Sequence, residues 1–257
     1  PMAADEPYIL LLSLDGAGAP FRQGIDAEDL RLSFGSQHNR KNHILDTLIE
    51  KQWGAAVARN PRTFDGSKFR LDGITWVEGG CAVELRLGLT SYKEYMGTNR
   101  LEDAQFLQLR RDGEESHGDA CAHLSNALGC EALLLTSDRQ VVLLRRSAAV
   151  GTHGGLYNGP SGHPEPGSAG LPKDGVAALG ATVGGEEVDV VRRELFKSVL
   201  DEISAETSVP HDSLTQPKLI GCMADVRGKP DVLFFVQTTL DAAAVRECYD
   251  RGAEEGF

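Results

Sequence analysis

Apolar and polar residues alternate along this chain at two spacings, and the switches between them mark out its elements. Val83, Leu85, Leu87 and Leu89 alternate with Glu84, Arg86 and Gly88, the period of two expected of a half-buried strand. Ser91 and Glu94 follow at capping-box spacing and predict a short helix from Tyr92. Upstream, Leu45, Leu48, Ile49, Trp53, Ala56 and Val57 recur at helical spacing. They predict a helix over about residues 42–59, capped by Asn42 and ended by Pro61. The apolar stretches 8–14, 68–71 and 74–77 read as strands.

A rise in polarity over residues 112–117 suggests a boundary before Gly129, dividing the chain into 1–125 and 126–257. Beyond it, stretches 132–136 and 141–144, joined by Ser137-Asp138-Arg139-Gln140, predict a β-hairpin. Residues 151–185 hold eleven glycines and four prolines, so a long loop is expected there, a kind of segment that is usually functional or disordered. A helix over about 188–207, strands at 218–224 and 231–238 turned by Gly228-Lys229-Pro230, and a helix over about 241–250 complete an α/β pattern without internal repeats.

Composition narrows the choice of partner. The 257 residues carry 26 Lys and Arg against 38 Asp and Glu, a net charge of −12. A field of that sign opposes nucleic-acid binding, although a local Arg cluster or a divalent cation can still hold a small anion. The longest apolar runs, 9–12 and 232–236, are too short to span a bilayer, so no membrane partner is expected. Cys81, Cys121, Cys130, Cys222 and Cys248 are odd in number and show no C-x-x-C spacing, which fits free thiols in a reducing compartment. No signal-peptide pattern opens the chain, Pro1 before Met2 points to Met2 as the native start, and a cytoplasmic location is expected.

The helix from residue 188 carries the candidate chemistry. Val188, Val191, Leu195, Phe196, Val199, Leu200 and Ile203 form one apolar stripe. With Ile203 at zero and about 100° per residue, Glu206 falls near −60°, inside the stripe, and Glu202 near −100°, at its edge. Two carboxylates one turn apart ordinarily lie on a solvated face. Drawn toward an apolar face they must protonate, pair or bind a cation, and their mutual repulsion at i,i+4 adds to the cost. A divalent ion between them offsets both, and hard oxygen ligands favour Mg²⁺ or Mn²⁺.

Gly162-His163-Pro164-Glu165-Pro166, followed by a helix with Glu202-Ile203-Ser204-Ala205-Glu206-Thr207-Ser208-Val209, resembles a diverged Nudix box, G-x5-E-x7-R-E-U-x-E-E-x-G-U. More narrowly, the chain resembles the Nudix UDP-sugar diphosphatases. Phe64-Asp65-Gly66-Ser67-Lys68-Phe69-Arg70, Leu85-Arg86-Leu87-Gly88-Leu89-Thr90-Ser91-Tyr92, Gly97-Thr98-Asn99 and Leu144-Arg145-Arg146-Ser147 carry that likeness along with the Gly162 stretch. Departures from the general pattern are an insertion of about 25 residues between Gly162 and Glu202, Ser161 for Gly, Ser168 for Glu, Asp201 for Arg, Ala205 for Glu and Ser208 for Gly.

The resemblance implies a Nudix α/β/α sandwich with a mixed sheet, plus an N-terminal α/β domain completing the substrate pocket. It implies Mg²⁺, or Mn²⁺, on Glu202, Glu206 and the Gly162 carbonyl. Glu165 is then an outer ligand or base, Arg146 a phosphate contact, and His163 a contact to phosphate or sugar. Tyr92, Thr98 and Asn99 would meet uracil or ribose. The implied reaction is hydrolysis of UDP-glucose or UDP-galactose to UMP and sugar 1-phosphate. Alternatives are a module that binds nucleotide sugars without cleaving them and a hydrolase of another nucleoside diphosphate such as ADP-ribose. The family continues past the last helix into a further strand and helix, so the chain is expected to stop short of them.

Overall fold

The computed structural model describes residues 8–14, 23–77, 82–145, 155–171 and 185–252. In chain order its elements are β1 (Tyr8–Ser13), β2 (Leu30–Phe34), α1 (Thr47–Arg59), β3 (Ser67–Val77), β4 (Ala82–Ser91), α2 (Tyr92–Gly97) and α3 (Asp103–His117). The second half adds β5 (Gly129–Leu135), β6 (Leu144–Arg145), β7 (Tyr157–Asn158), β8 (Ser161–Gly162), α4 (Gly185–Thr207), β9 (Lys218–Asp225), β10 (Pro230–Gln237) and α5 (Ala242–Asp250).

The alternating segment becomes β4, the centre of a three-stranded sheet ordered β2-β4-β3, with β2 parallel and β3 antiparallel to it. Val83, Leu85, Leu87 and Leu89 are buried, as the period of two requires. The two short stretches at 68–71 and 74–77 are one strand, β3, whose register shifts between Leu71 and Gly73. A Cβ at Gly73 would lie 2.1 Å from the Arg86 guanidinium, so a side chain at this bulge would push that guanidinium aside.

A five-stranded mixed sheet, ordered β1-β9-β10-β5-β8, forms the other layer, with β10 parallel to β5 and the other neighbours antiparallel. The first strand of the chain therefore extends the sheet of the second half. One apolar core joins the layers, running from Leu12, Phe34 and Phe69 through Leu128 to Ile203 and Phe234. No helix among the described residues is long and apolar enough to cross a membrane.

Two expectations need correction, and α3 is a helix that the sequence pattern does not predict. His43, not Asn42, opens the first helical segment: its Nδ1 accepts from the Leu45 N–H at 3.1 Å, while Asp46 accepts from the His43 N–H at 3.1 Å. The imidazole is held ready by a 2.9 Å contact to Asp112. The polar rise at 112–117 is the end of α3, a helix that buries only Phe106, Leu109 and Gly113 and so shows almost no apolar stripe. The hairpin around Ser137–Gln140 closes, with Thr136 N–H donating to the Gln140 carbonyl at 2.9 Å, but pairing ends after Val142. Farther back, the edge of β5 is taken by β8, and Leu144–Arg145 pairs with Tyr157–Asn158 instead.

Arg70 ties these parts together. It is 1% exposed and donates to the carbonyls of His38 (2.8 Å), Cys121 (3.0 Å) and Leu124 (3.1 Å) and to Asp72 (2.7 Å). Burial alone would raise the Asp72 carboxyl, yet the Arg70 guanidinium and the His38 ring hold it below its ordinary 3.8. Replacing Arg70 by Met should therefore cost about 3–5 kcal/mol in chemical unfolding at neutral pH, because it orphans three carbonyls and a half-buried carboxylate. An acid whose folded pKa is depressed contributes stability that is present above 3.8 and lost as pH falls through the folded value. The gap between wild type and variant should accordingly narrow on acidification below about pH 4.

Candidate active site

Glu194, Ser198, Glu202 and Glu206 recur every fourth residue of α4 and so lie in one file beside the apolar stripe. Residues 161–165 run alongside that file in extended conformation. Ser161 N–H donates to Glu206 Oε2 (3.1 Å), His163 N–H to Glu202 Oε1 (3.3 Å) and Glu165 N–H to Glu194 Oε1 (3.2 Å). The first two contacts match in length, since two extended residues advance about 6.6 Å and one four-residue helical step about 6 Å. The sequence allows little else: Pro164 and Pro166 have no N–H, so the alternate residues 161, 163 and 165 are the ones that donate to the helix. The backbone of Gly162 pairs with Cys130 of β5.

Gly162 is where loop and helix come closest. A Cβ there would lie 1.7 Å from Glu202 Oε1 and 2.0 Å from its carboxyl carbon. Glu202 therefore occupies the space that any side chain at 162 would need. Glu206 is 2% exposed and Glu202 partly exposed. Glu194 is buried as well, and burial pushes its carboxyl pKa up. Glu165 is exposed and forms a 2.5 Å ion pair with Lys68 of β3, which reaches the loop from the three-stranded sheet. Asp201, where the Nudix pattern has Arg, pairs with Lys197 and with His211 on the outer face of α4.

The structure thus brings together Gly162, His163, Glu165, Glu202 and Glu206. It does not bring Thr98 and Asn99 to an open cleft as expected. Thr98, at 1% exposure, donates to the Glu94 carbonyl (2.8 Å) and accepts from the Ser125 N–H (3.1 Å). Asn99, at 0%, donates to the Arg227 carbonyl (2.7 Å) and accepts from the Asn126 N–H (3.2 Å). These groups are closed to solvent because they fasten the end of α2 to the turn between β9 and β10. Tyr92 is partly exposed at the start of α2, edge-on to Trp53 with ring centroids 6.2 Å apart. Arg146 lies outside the described residues.

Glu194 escaped the sequence reading. The four-residue step that pairs Glu202 with Glu206 also leads back through Ser198 to it, and that spacing is its only signal. Among the described residues no three His, Cys, Asp or Glu side chains converge to hold a metal. A cation here would rest on Glu202, Glu206 and the Gly162 carbonyl, an all-oxygen set suited to a hard divalent ion.

No protein-family model matches the chain. Among curated proteins, it is 36% identical to the uridine diphosphate glucose pyrophosphatase NUDT22 of Mus musculus, over 97% of this chain and 79% of that protein. The Bos taurus counterpart is 39% identical over 82% and 71% of the two chains. Nudix hydrolase 9 of Arabidopsis thaliana is 30% identical over 97% and 80%. The chain belongs to the Nudix hydrolase family. Ala205 and Asp201 stand where the general Nudix pattern has Glu and Arg.

Gly162→Ala should keep the fold, since the atoms it meets are the far end of one side chain, while displacing Glu202. Titration with Mn²⁺ followed by electron paramagnetic resonance should show affinity reduced about ten- to a hundredfold, at an unchanged melting temperature.

Proposed function

We propose that this Nudix protein hydrolyses the diphosphate of UDP-sugars such as UDP-glucose and UDP-galactose, giving UMP and a sugar 1-phosphate. One observation carries the reading: Glu202 and Glu206 converge on the Gly162 turn in a chain whose relatives are named UDP-glucose pyrophosphatases. The family works with a divalent cation, and Mg²⁺ is the ion we assign to Glu202, Glu206 and the Gly162 carbonyl, with Mn²⁺ as a substitute. Bound there, it would neutralise diphosphate oxygens and lower the pKa of a coordinated water.

The protein's own groups do the rest. Ser161 and His163 hold the two carboxylates in place through their backbone N–H groups. Glu165, which is exposed and pairs with Lys68, is the carboxylate we assign to take a proton from the attacking water. The His163 ring and Arg146 are assigned to phosphate or sugar, and Tyr92 to the ligand from the N-terminal side. Thr98 and Asn99 support that side from within. The five-stranded sheet with α4 and α5 is read as the Nudix α/β/α sandwich. The three-stranded sheet with α1, α2 and α3 is read as an N-terminal unit, the halves dividing near residue 125. Cysteine usage and the lack of a membrane-length apolar run favour a cytoplasmic protein without nucleic-acid or membrane partners.

Ala205 and Asp201 favour, as a second reading, a module that binds nucleotide sugars without cleaving them. Incubation with UDP-glucose and Mg²⁺, followed by chromatography, decides between them. We expect UMP and glucose 1-phosphate in equal amounts, and Glu202→Gln or Glu206→Gln to lower kcat/KM by at least about a hundredfold with melting unchanged. Intact UDP-glucose that nevertheless raises the melting temperature would establish the second reading instead.

A further inference from the structure

A cavity of about 740 Å³ lies beside the seam, between the 136–145 segment and α5. Its size is that of a small-molecule site. Arg145 and Arg246 line it, and neither pairs with a carboxylate among the described residues, although acids outnumber bases by twelve in this chain. Tyr157 and Tyr249 contribute aromatic surface and Gln140 an amide that can both donate and accept. Two guanidiniums without a carboxylate partner among the described residues, beside aromatic and apolar walls, suit a phosphate that carries a planar base.

The cavity shares a wall with the carboxylates. Thr207 lines it and directly follows Glu206. Tyr157 pairs with Arg145, the next residue, Asn158, donates to the Ser161 hydroxyl at 2.7 Å, and the Ser161 N–H holds Glu206. We infer that this cavity takes the uridine 5′-phosphate half of the substrate, with Arg145 and Arg246 on its phosphate and the tyrosines against its base, leaving the sugar phosphate on the far side of Glu206. The inference rests on the UDP-sugar reading above and adds residues from α5 and β6 to the site.

Binding of UMP without any divalent cation, read as a shift in melting temperature, separates the inference from that reading. Wild type should shift. The double variant Arg145→Ala, Arg246→Ala should lose the shift and raise KM for UDP-glucose at least about tenfold, as expected for lost charge-assisted hydrogen bonds. Tyr157→Ser should weaken both in the same direction, and Arg59→Ala, at the end of α1, should change neither. A double variant that binds UMP and turns over UDP-glucose like wild type overturns the inference while leaving hydrolysis intact. Arg59→Ala matching the double variant also overturns it, by showing that net charge alone matters. UMP binding that needs both arginines, in a wild type that never cleaves UDP-glucose, upholds the cavity and removes the hydrolysis reading.

Discussion

The docking of residues 161–165 onto the polar file of α4 is the constraint on which the site depends. Carboxylates at 2% and 7% exposure cannot rest on an apolar face without partners, and backbone N–H groups of residues 161 and 165 are among them. Pro164 and Pro166 carry no N–H, so residues 163 and 165 are the donors of that stretch. Gly162 then leaves free the space that the Glu202 carboxylate occupies. Loop and helix each supply what the other lacks.

This seam gives the site its direction. Each of these backbone N–H groups donates to a carboxylate oxygen, and like charges one helical turn apart repel each other. A divalent cation between them would offset that repulsion. Ala205 supplies neither of the contacts to Ser161 and His163 that set the seam, so its lack of a carboxylate leaves them untouched.

The N-terminal half braces the seam from outside. Lys68 reaches Glu165 from β3, Arg70 of the same strand binds the 121–124 segment that leads into β5, and Asn99 holds the turn preceding β10. Since β5 carries β8 and Gly162, each of these contacts bears on where the loop lies. The phrases Phe64–Arg70 and Gly97–Asn99, which single out the UDP-sugar branch in the sequence, thus act largely as struts. Polar residues in a motif point to tight geometry as readily as to ligand contact.

Local patterns determined much on their own. Period-two alternation identified β4, the apolar stripe identified α4, and the angles of Glu202 and Glu206 on that stripe placed them toward the core, because each of these depends only on neighbours in the chain. Other features required distant parts to meet. The merger of two short strands into β3, the enrolment of β1 in the far sheet, and the burial of Thr98 and Asn99 follow from contacts between residues tens of positions apart. Glu194 joined the site for the same reason: its four-residue spacing was legible, but only the loop lying across α4 turns that spacing into a seat for Glu165.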